Sequence, residues 1–399
     1  MNVNQPGTEK WYFQTEAKII SSPTVTNGTV FIGSGTPYRR TGSAAGVPDH
    51  LYALDTRTGA KQWVFQADGA VTSAPAVTSG IVLFRSEDHL YALSELEGAK
   101  QWTIDVGGGA QSSPTVADDI VYLTGYDSNG LCHVYALDAQ SGTQNWTYGI
   151  DNSRQLSPTV ADGTVFVGSK TQIYALDAFN GTEQWTFDVD GGVKSSPTVA
   201  DGTVYIAGQN SNHTTRLYAL DAQAGTKQWT FETDSWIHSS PTVADGTIFF
   251  GSHDSKLYAL DGTTGNKQWH YDTFNSIRSS PTVAEDTVIF GSDDSRLYAL
   301  DATTSDIQGN KQWSFETYDG IKSSPVVVDG SVYVGSNDGN LYAIHTQGEK
   351  TSNGSRVLLG TLNHHDTRIQ SDKAGIADPD ILETGAYEDD TSGTKIYDP

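Results

Sequence analysis

One unit recurs along nearly the whole chain, and it decides what the chain can fold into. In the stretch 239–273, SSPTVADGTIFFGSHDSKLYALDGTTGNKQWHYDT, four short segments rich in β-branched and aromatic residues (SSPTV, TIFFGS, KLYALD and KQWHYD) are each long enough for one strand. Ala244-Asp245-Gly246 separates the first two, and Asp-Gly is the dipeptide whose backbone accepts the positive φ angles of a type I′ hairpin turn. Thr264-Gly265 marks another turn between the third and fourth. The middle segments alternate only weakly between apolar and polar residues, as strands covered on both faces do. A four-stranded unit of about 40 residues with a repeated Trp predicts a propeller blade.

Three markers count the blades. The Pro of the first segment stands at Pro23, Pro75, Pro114, Pro158, Pro197, Pro241, Pro281 and Pro325, and the Tyr of the third at Tyr52, Tyr91, Tyr135, Tyr174, Tyr218, Tyr258, Tyr298 and Tyr342. The Trp of the fourth stands at Trp11, Trp63, Trp102, Trp146, Trp185, Trp229, Trp269 and Trp313, so each marker occurs eight times. The first Trp precedes the first Pro, and the last Tyr, in LYAIH, is followed by no Trp. A fourth strand is therefore missing at the end and spare at the start. The expectation is an all-β, eight-bladed propeller over residues 1–350, with residues 7–15 supplying the outer strand of the last blade and closing the ring without an open sheet edge. Beyond about residue 351 the repeat stops, and the polar, acidic stretch 351–399 is expected to be largely irregular. Its His364-His365-Asp366 offers metal-ligating side chains, but adjacent residues in such a stretch fix no coordination geometry.

The charge balance narrows the partners. With 48 acidic against 24 basic residues the net charge is −24, and the acids are spread through the repeats, which argues against nucleic acid and against anionic lipid surfaces. A dense negative surface is tolerable where salt screens it over a few ångströms, so an adaptation to high salt is expected, with an acidic face for a cationic partner as the competing reading. Cys132 is the single cysteine, which leaves no intrachain disulfide and no cysteine-based zinc cluster. No run of about 18 apolar residues predicts a membrane span. The opening residues carry no signal-peptide pattern, which suits either a cytoplasmic chain or an exported domain whose signal has been removed. A monomer is expected.

At Ala53-Leu54-Asp55-Thr56-Arg57-Thr58-Gly59-Ala60-Lys61-Gln62-Trp63 the chain reads A-x-D-x-x-T-G-x-x-x-W. This resembles the tryptophan-docking motif of the pyrroloquinoline quinone (PQQ) dehydrogenase repeat family. The Gly four before each Trp is present in all eight copies, and the Asp in six, with Ser94 and His345 replacing it in blades two and eight. The resemblance covers roughly residues 7 to 345. It implies a propeller in which each of the eight Trp residues docks between blades, a structural duty. For activity it implies one of two things: a quinoprotein dehydrogenase that oxidises an alcohol or sugar with PQQ and calcium, or a non-catalytic interaction scaffold like the assembly factor BamB. Quinoprotein alcohol dehydrogenases typically carry a vicinal cysteine disulfide against the cofactor, which one cysteine cannot form. No C-x-x-C-H haem attachment is present either. The scaffold is therefore the expected function, with no catalytic residues and no cofactor, and PQQ with calcium as the alternative.

In such propellers the residue just before each S-S-P run lies near one mouth of the central channel. Three positions before the Pro the chain has Ile20, Thr72, Gln111, Gln155, Lys194, His238, Arg278 and Lys322, so four consecutive blades place Lys, His, Arg and Lys there. With Arg154 beside Gln155, these residues suggest a cationic arc for an anion, either a small carboxylate or an acidic peptide of a protein partner. The competing reading is that the cations offset nearby acids such as Asp190, Asp234 and Asp319. After the second strand the pairs Glu87-Asp88, His253-Asp254, Asp293-Asp294 and Asn337-Asp338 offer either calcium ligands or turn formers on an acidic surface.

Overall fold

The computed structural model describes residues 5–35, 49–107, 112–151, 156–189, 191–209 and 214–346. The stretch 351–399, with His364-His365-Asp366, lies outside the described residues. The described residues form eight four-stranded antiparallel sheets. Seven are runs of consecutive strands: blade one spans 24–66, two 76–105, three 115–149, four 159–188, five 198–233, six 242–272 and seven 282–316. The eighth combines three strands within 326–345 with the N-terminal strand Glu9–Gln14, which pairs antiparallel to Asn340–His345 on the outer edge. Trp11 lies opposite Ala343, with a register shift just before it. Trp63 lies opposite Ala53 with the same kind of shift inside blade one, so the closing strand takes the register an ordinary outer strand would.

Burial follows position in the blade. The second strand of blade seven, Thr287–Gly291, is buried throughout, whereas the outer strand of blade one, Lys61–Gln66, alternates exposed and half-buried residues. The core is accordingly not one mass but a series of layers between blades. At the seam, Ile19, Val30, Ile32 and Leu54 of blade one pack with Val326, Tyr333, Leu341 and Ala343 of blade eight, and with Trp11 and Phe13. The hairpin between the first two strands of blade six carries Asp245 at φ 47° and Gly246 at φ 72°, the left-handed pair a type I′ turn requires.

The S-S-P-T run has a mechanical meaning. Its first Ser holds the blade internally: Gly251 N–H donates to Ser239 Oγ at 3.1 Å, Gly291 N–H to Ser279 Oγ at 3.1 Å and Gly335 N–H to Ser323 Oγ at 3.2 Å. Its second Ser joins neighbours, as Ser240 N–H donates to Ser280 Oγ and Ser280 N–H to Ser324 Oγ, both at 3.0 Å. The Thr adds a second link, with Thr242 Oγ1 donating to Pro281 O and Thr282 Oγ1 to Pro325 O, both at 2.6 Å. Blade eight has Val326 in place of the Thr, yet Ser324 N–H still reaches Ser22 Oγ of blade one at 3.0 Å, so the inner belt crosses the seam.

On the outer side each indole lies over a Gly of the next blade. A Cβ on Gly59, at φ +69°, would fall 2.6 Å from the Trp11 ring, and one on Gly265, at φ +72°, 2.6 Å from Trp229. Glycine is needed there for both the backbone angle and the close approach. The indole N–H then donates to a turn carbonyl: Trp11 to Thr56 O at 3.0 Å across the seam, Trp229 to Gly262 O at 3.0 Å. Trp269 and Trp313 are the exceptions, their buried Nε1 atoms lacking a partner among the described residues. The longer turn of blade seven carries Gly309 farther off, its Cβ position 3.3 Å from the Trp269 ring.

Candidate functional site

Each outer strand leads into the next blade through a linker, and the turn after the second strand folds back onto it. In blades six to eight that turn donates a backbone N–H to the linker: His253 to Trp236 O at 2.8 Å, Asp293 to Ser276 O at 2.9 Å and Asn337 to Gly320 O at 3.0 Å. A buried aliphatic residue anchors each linker, since the space beside Gly251 is filled by Ile277 and that beside Gly291 by Ile321. Lys194, His238, Arg278 and Lys322 occupy one equivalent position in consecutive blades, each between a buried aliphatic residue (Val193, Ile237, Ile277, Ile321) and a buried serine (Ser195, Ser239, Ser279, Ser323). Main-chain packing thus holds the four positions in place. Gln111, Arg154 and Gln155 lie outside the described residues.

The electrostatics differ from blade to blade. Arg278 Nε sits 3.1 Å from Asp293 Oδ2, a carboxylate only 15% exposed, while the arginine itself stays 40% exposed. Its counter-ion therefore comes from the turn after the second strand. Asp234 and Asp319, the linker acids, pair instead with Lys256 at 3.7 Å and Lys18 at 3.5 Å. Lys322 makes no ion pair among the described residues. In blade six the His238 and His253 rings lie 4.6 Å apart, and the Trp236 indole stacks on His238 at 5.6 Å with planes 7° from parallel. Burial, and then the Arg278 charge, hold the His253 pKa below its usual value of 6.5.

The repeated acids have duties of their own. Tyr258 donates its hydroxyl to Asp254 at 2.8 Å, Tyr298 to Asp294 at 2.8 Å and Tyr342 to Asp338 at 2.9 Å. The same carboxylates accept turn N–H groups from Lys256 and Arg296 at 3.1 Å and from Asn340 at 2.8 Å. Burial first, and then the carboxylate, push all three tyrosine pKa values up. Among the described residues no group of three or more His, Cys, Asp or Glu side chains converges as a cation site. Cys132 stands alone and buried. The described residues therefore lend no support to a calcium-bound PQQ site.

Two features of this face escaped sequence reasoning. Arg85 is fully buried, its Nη1 donating to Thr124 O at 2.7 Å and Nη2 to Gly107 O at 3.0 Å, and burial pushes its pKa down to about 10. Aligning the second strands offers the only signal, Phe84-Arg85-Ser86 standing where blade six has Phe250-Gly251-Ser252. The other feature is a set of exposed aromatic residues on the linkers, Trp236, Phe274 and Tyr318.

A family model described as outer membrane protein assembly factor BamB matches residues 3–84, 48–157 and 133–352. Among solved structures, BamB from Moraxella catarrhalis is 18% identical with a TM-score of 0.68, over 85% of this chain and 99% of that one. Quinohemoprotein alcohol dehydrogenase from Comamonas testosteroni is 15% identical with a TM-score of 0.70, over 88% and 78%. A europium-containing methanol dehydrogenase is 14% identical with a TM-score of 0.66, over 82% and 85%. No curated protein sequence matches the chain. At these identities the structural likeness speaks for the fold alone, which assembly factors and dehydrogenases share.

Proposed function

We propose, from the premise that this chain belongs to the outer membrane protein assembly factor BamB family, that it is a non-catalytic propeller acting as a protein-binding scaffold. The observation that carries this reading is the family match, which runs from residue 3 to residue 352 and so takes in the whole ring. The repeated residues of that ring serve folding: serines and threonines form the inner belt, tryptophans the outer one, and the turn aspartates hold tyrosines. What remains for recognition is the set of positions that vary between blades. The mouth residues Lys194, His238, Arg278 and Lys322 are the binding element, and a carboxylate-bearing segment of a protein partner is the ligand class that suits them. Gln111, Arg154 and Gln155 belong to the same arc by sequence. The PQQ-dependent alternative finds no support in the donor groups present.

The test is capture of partners on the tagged chain in its own host, followed by reconstitution with each purified candidate and cross-link mapping. One protein that reconstitutes and cross-links to the mouth is expected. Failure of every candidate to reconstitute would refute the scaffold reading.

A further inference from the structure

Seven positions before the proline of each blade, the linker follows a default that two blades break. The residues there are Glu16, Asp68, Gly107, Asp151, Asp190 and Asp234 in the first six blades, but Phe274 and Tyr318 in blades seven and eight. An acid at five of six positions becomes a large aromatic in two neighbours. Four residues further along, the same linkers carry Arg278 and Lys322, where blades one to four have Ile20, Thr72, Gln111 and Gln155. Blades five and six already carry Lys194 and His238 at that inner position, each four residues after an acid; only blades seven and eight combine the cation with an aromatic at the outer end.

These aromatics lie on the surface. Phe274 is 86% exposed and Tyr318 90% exposed, and Trp236 on the preceding linker is 47% exposed. Their backbones are nevertheless pinned, and pinned identically. Phe274 N–H donates to Asp294 Oδ2 and Tyr318 N–H to Asp338 Oδ2, both at 3.0 Å. Just before them, Thr273 Oγ1 donates to Asn275 O and Thr317 Oγ1 to Asp319 O, both at 2.7 Å. Thr273 N–H and Thr317 N–H donate to Ser255 O and Ser295 O, both at 2.8 Å. Arg296 lies over the Phe274 ring at 5.8 Å, steadying that side chain as well. Exposed aromatics on a rigid backbone are what interface anchors look like, because little ordering entropy is lost when they are covered.

Resting on the scaffold reading, we infer that the linkers of blades seven and eight form a docking epitope for an acidic amphipathic segment of a partner protein, its apolar side chains covering Phe274 and Tyr318 and its carboxylates meeting Arg278 and Lys322. Lys322 favours an acidic segment over a basic one, whereas Arg278, 40% exposed and already matched by Asp293, would share its charge with a second carboxylate. The acids of this patch already have partners: Asp293 is paired with Arg278, Asp319 with Lys18, and Asp294 and Asp338 accept from tyrosine hydroxyls and backbone. Lys322 has no carboxylate among the described residues, so an incoming one satisfies it.

The test uses the full chain and fluorescence anisotropy with three labelled synthetic peptides: alternating glutamate and leucine, alternating lysine and leucine, and alternating glutamate and serine. Binding of the glutamate–leucine peptide alone is expected, weakened about tenfold or more in Phe274→Ser/Tyr318→Ser and in Lys322→Glu. Both variants alter exposed or unpaired side chains, and an unchanged melting temperature confirms that they fold. Preferential binding of the lysine–leucine peptide, no binding of the glutamate–leucine peptide, or equal affinity in wild type and both variants overturns the epitope. The same variants enter the partner capture. A reconstituting partner indifferent to them removes the epitope and leaves the scaffold; no reconstituting partner for the wild type removes both.

Discussion

The ring is closed by pairing alone inside blade eight, where Glu9–Gln14 lies against Asn340–His345, and Trp11→Ala tests what holds that strand in place. Trp11 is half-buried, packs on Tyr333 at a ring distance of 5.8 Å, lies over Gly59 and donates its indole N–H to Thr56 O at 3.0 Å. Removing a Trp from such a contact costs about 3–5 kcal/mol, and the lower end applies to a half-buried ring. Losing the hydrogen bond adds about 1 kcal/mol, for roughly 4 kcal/mol in all. A ring the size of residues 5–346 unfolds with an entropy of about 0.7 kcal/mol per kelvin, which converts this loss into a fall in melting temperature of about 5–6 °C. Trp229→Ala is the control, since Trp229 is equally half-buried and makes the same 3.0 Å bond within the ring. The two should melt alike by calorimetry. They should differ in hydrogen exchange, because only the seam variant frees Asn340–His345 to open with the departing strand Glu9–Gln14. Wild-type melting in Trp11→Ala, with Asn340–His345 as protected as before, would refute the closing role.

The other joints make narrower predictions. Ser280→Ala leaves the buried N–H of Ser240 without its acceptor and should lower stability by about 1–3 kcal/mol in denaturant titrations; a change within error would mean that the inner belt carries little. Arg85→Lys keeps the charge but cannot reach both Thr124 O and Gly107 O with a planar fork, so a loss of about 2 kcal/mol or more is expected, and an unperturbed melt contradicts it. The lowered pKa of His253 means that the unfolded chain binds more protons there than the folded one as pH falls through 6.5. The stability this position supports is thus complete above that pH and declines below it. Denaturant midpoints of wild type and His253→Gln should converge on acidification, and a constant gap would show that the histidine is not the titrating group.

Much of the fold was legible because its signals are local and repeated. Eight Pro, Tyr and Trp markers give the blades, and a single displaced marker, Trp11 ahead of Pro23, gives the closing strand. The cation positions were legible for the same reason, as one register before each S-S-P run. Their pairing was not. Arg278 meets Asp293 only because the turn after the second strand folds back to bond Ser276 O, and no periodicity announces that contact. Exposure was hidden too: no repeat marker shows that Phe274 is exposed or that Arg85 is buried. Each breaks the default at its place in the repeat, so the departures carried more information than the motif.

Whether the ring is a scaffold or a quinoprotein is tested most directly by titrating the full chain with PQQ and calcium in molar salt, and assaying dye-linked oxidation of alcohols and sugars on the same sample. A scaffold gives no saturable binding and no turnover. Stoichiometric PQQ binding that depends on calcium and supports substrate-dependent dye reduction would contradict it.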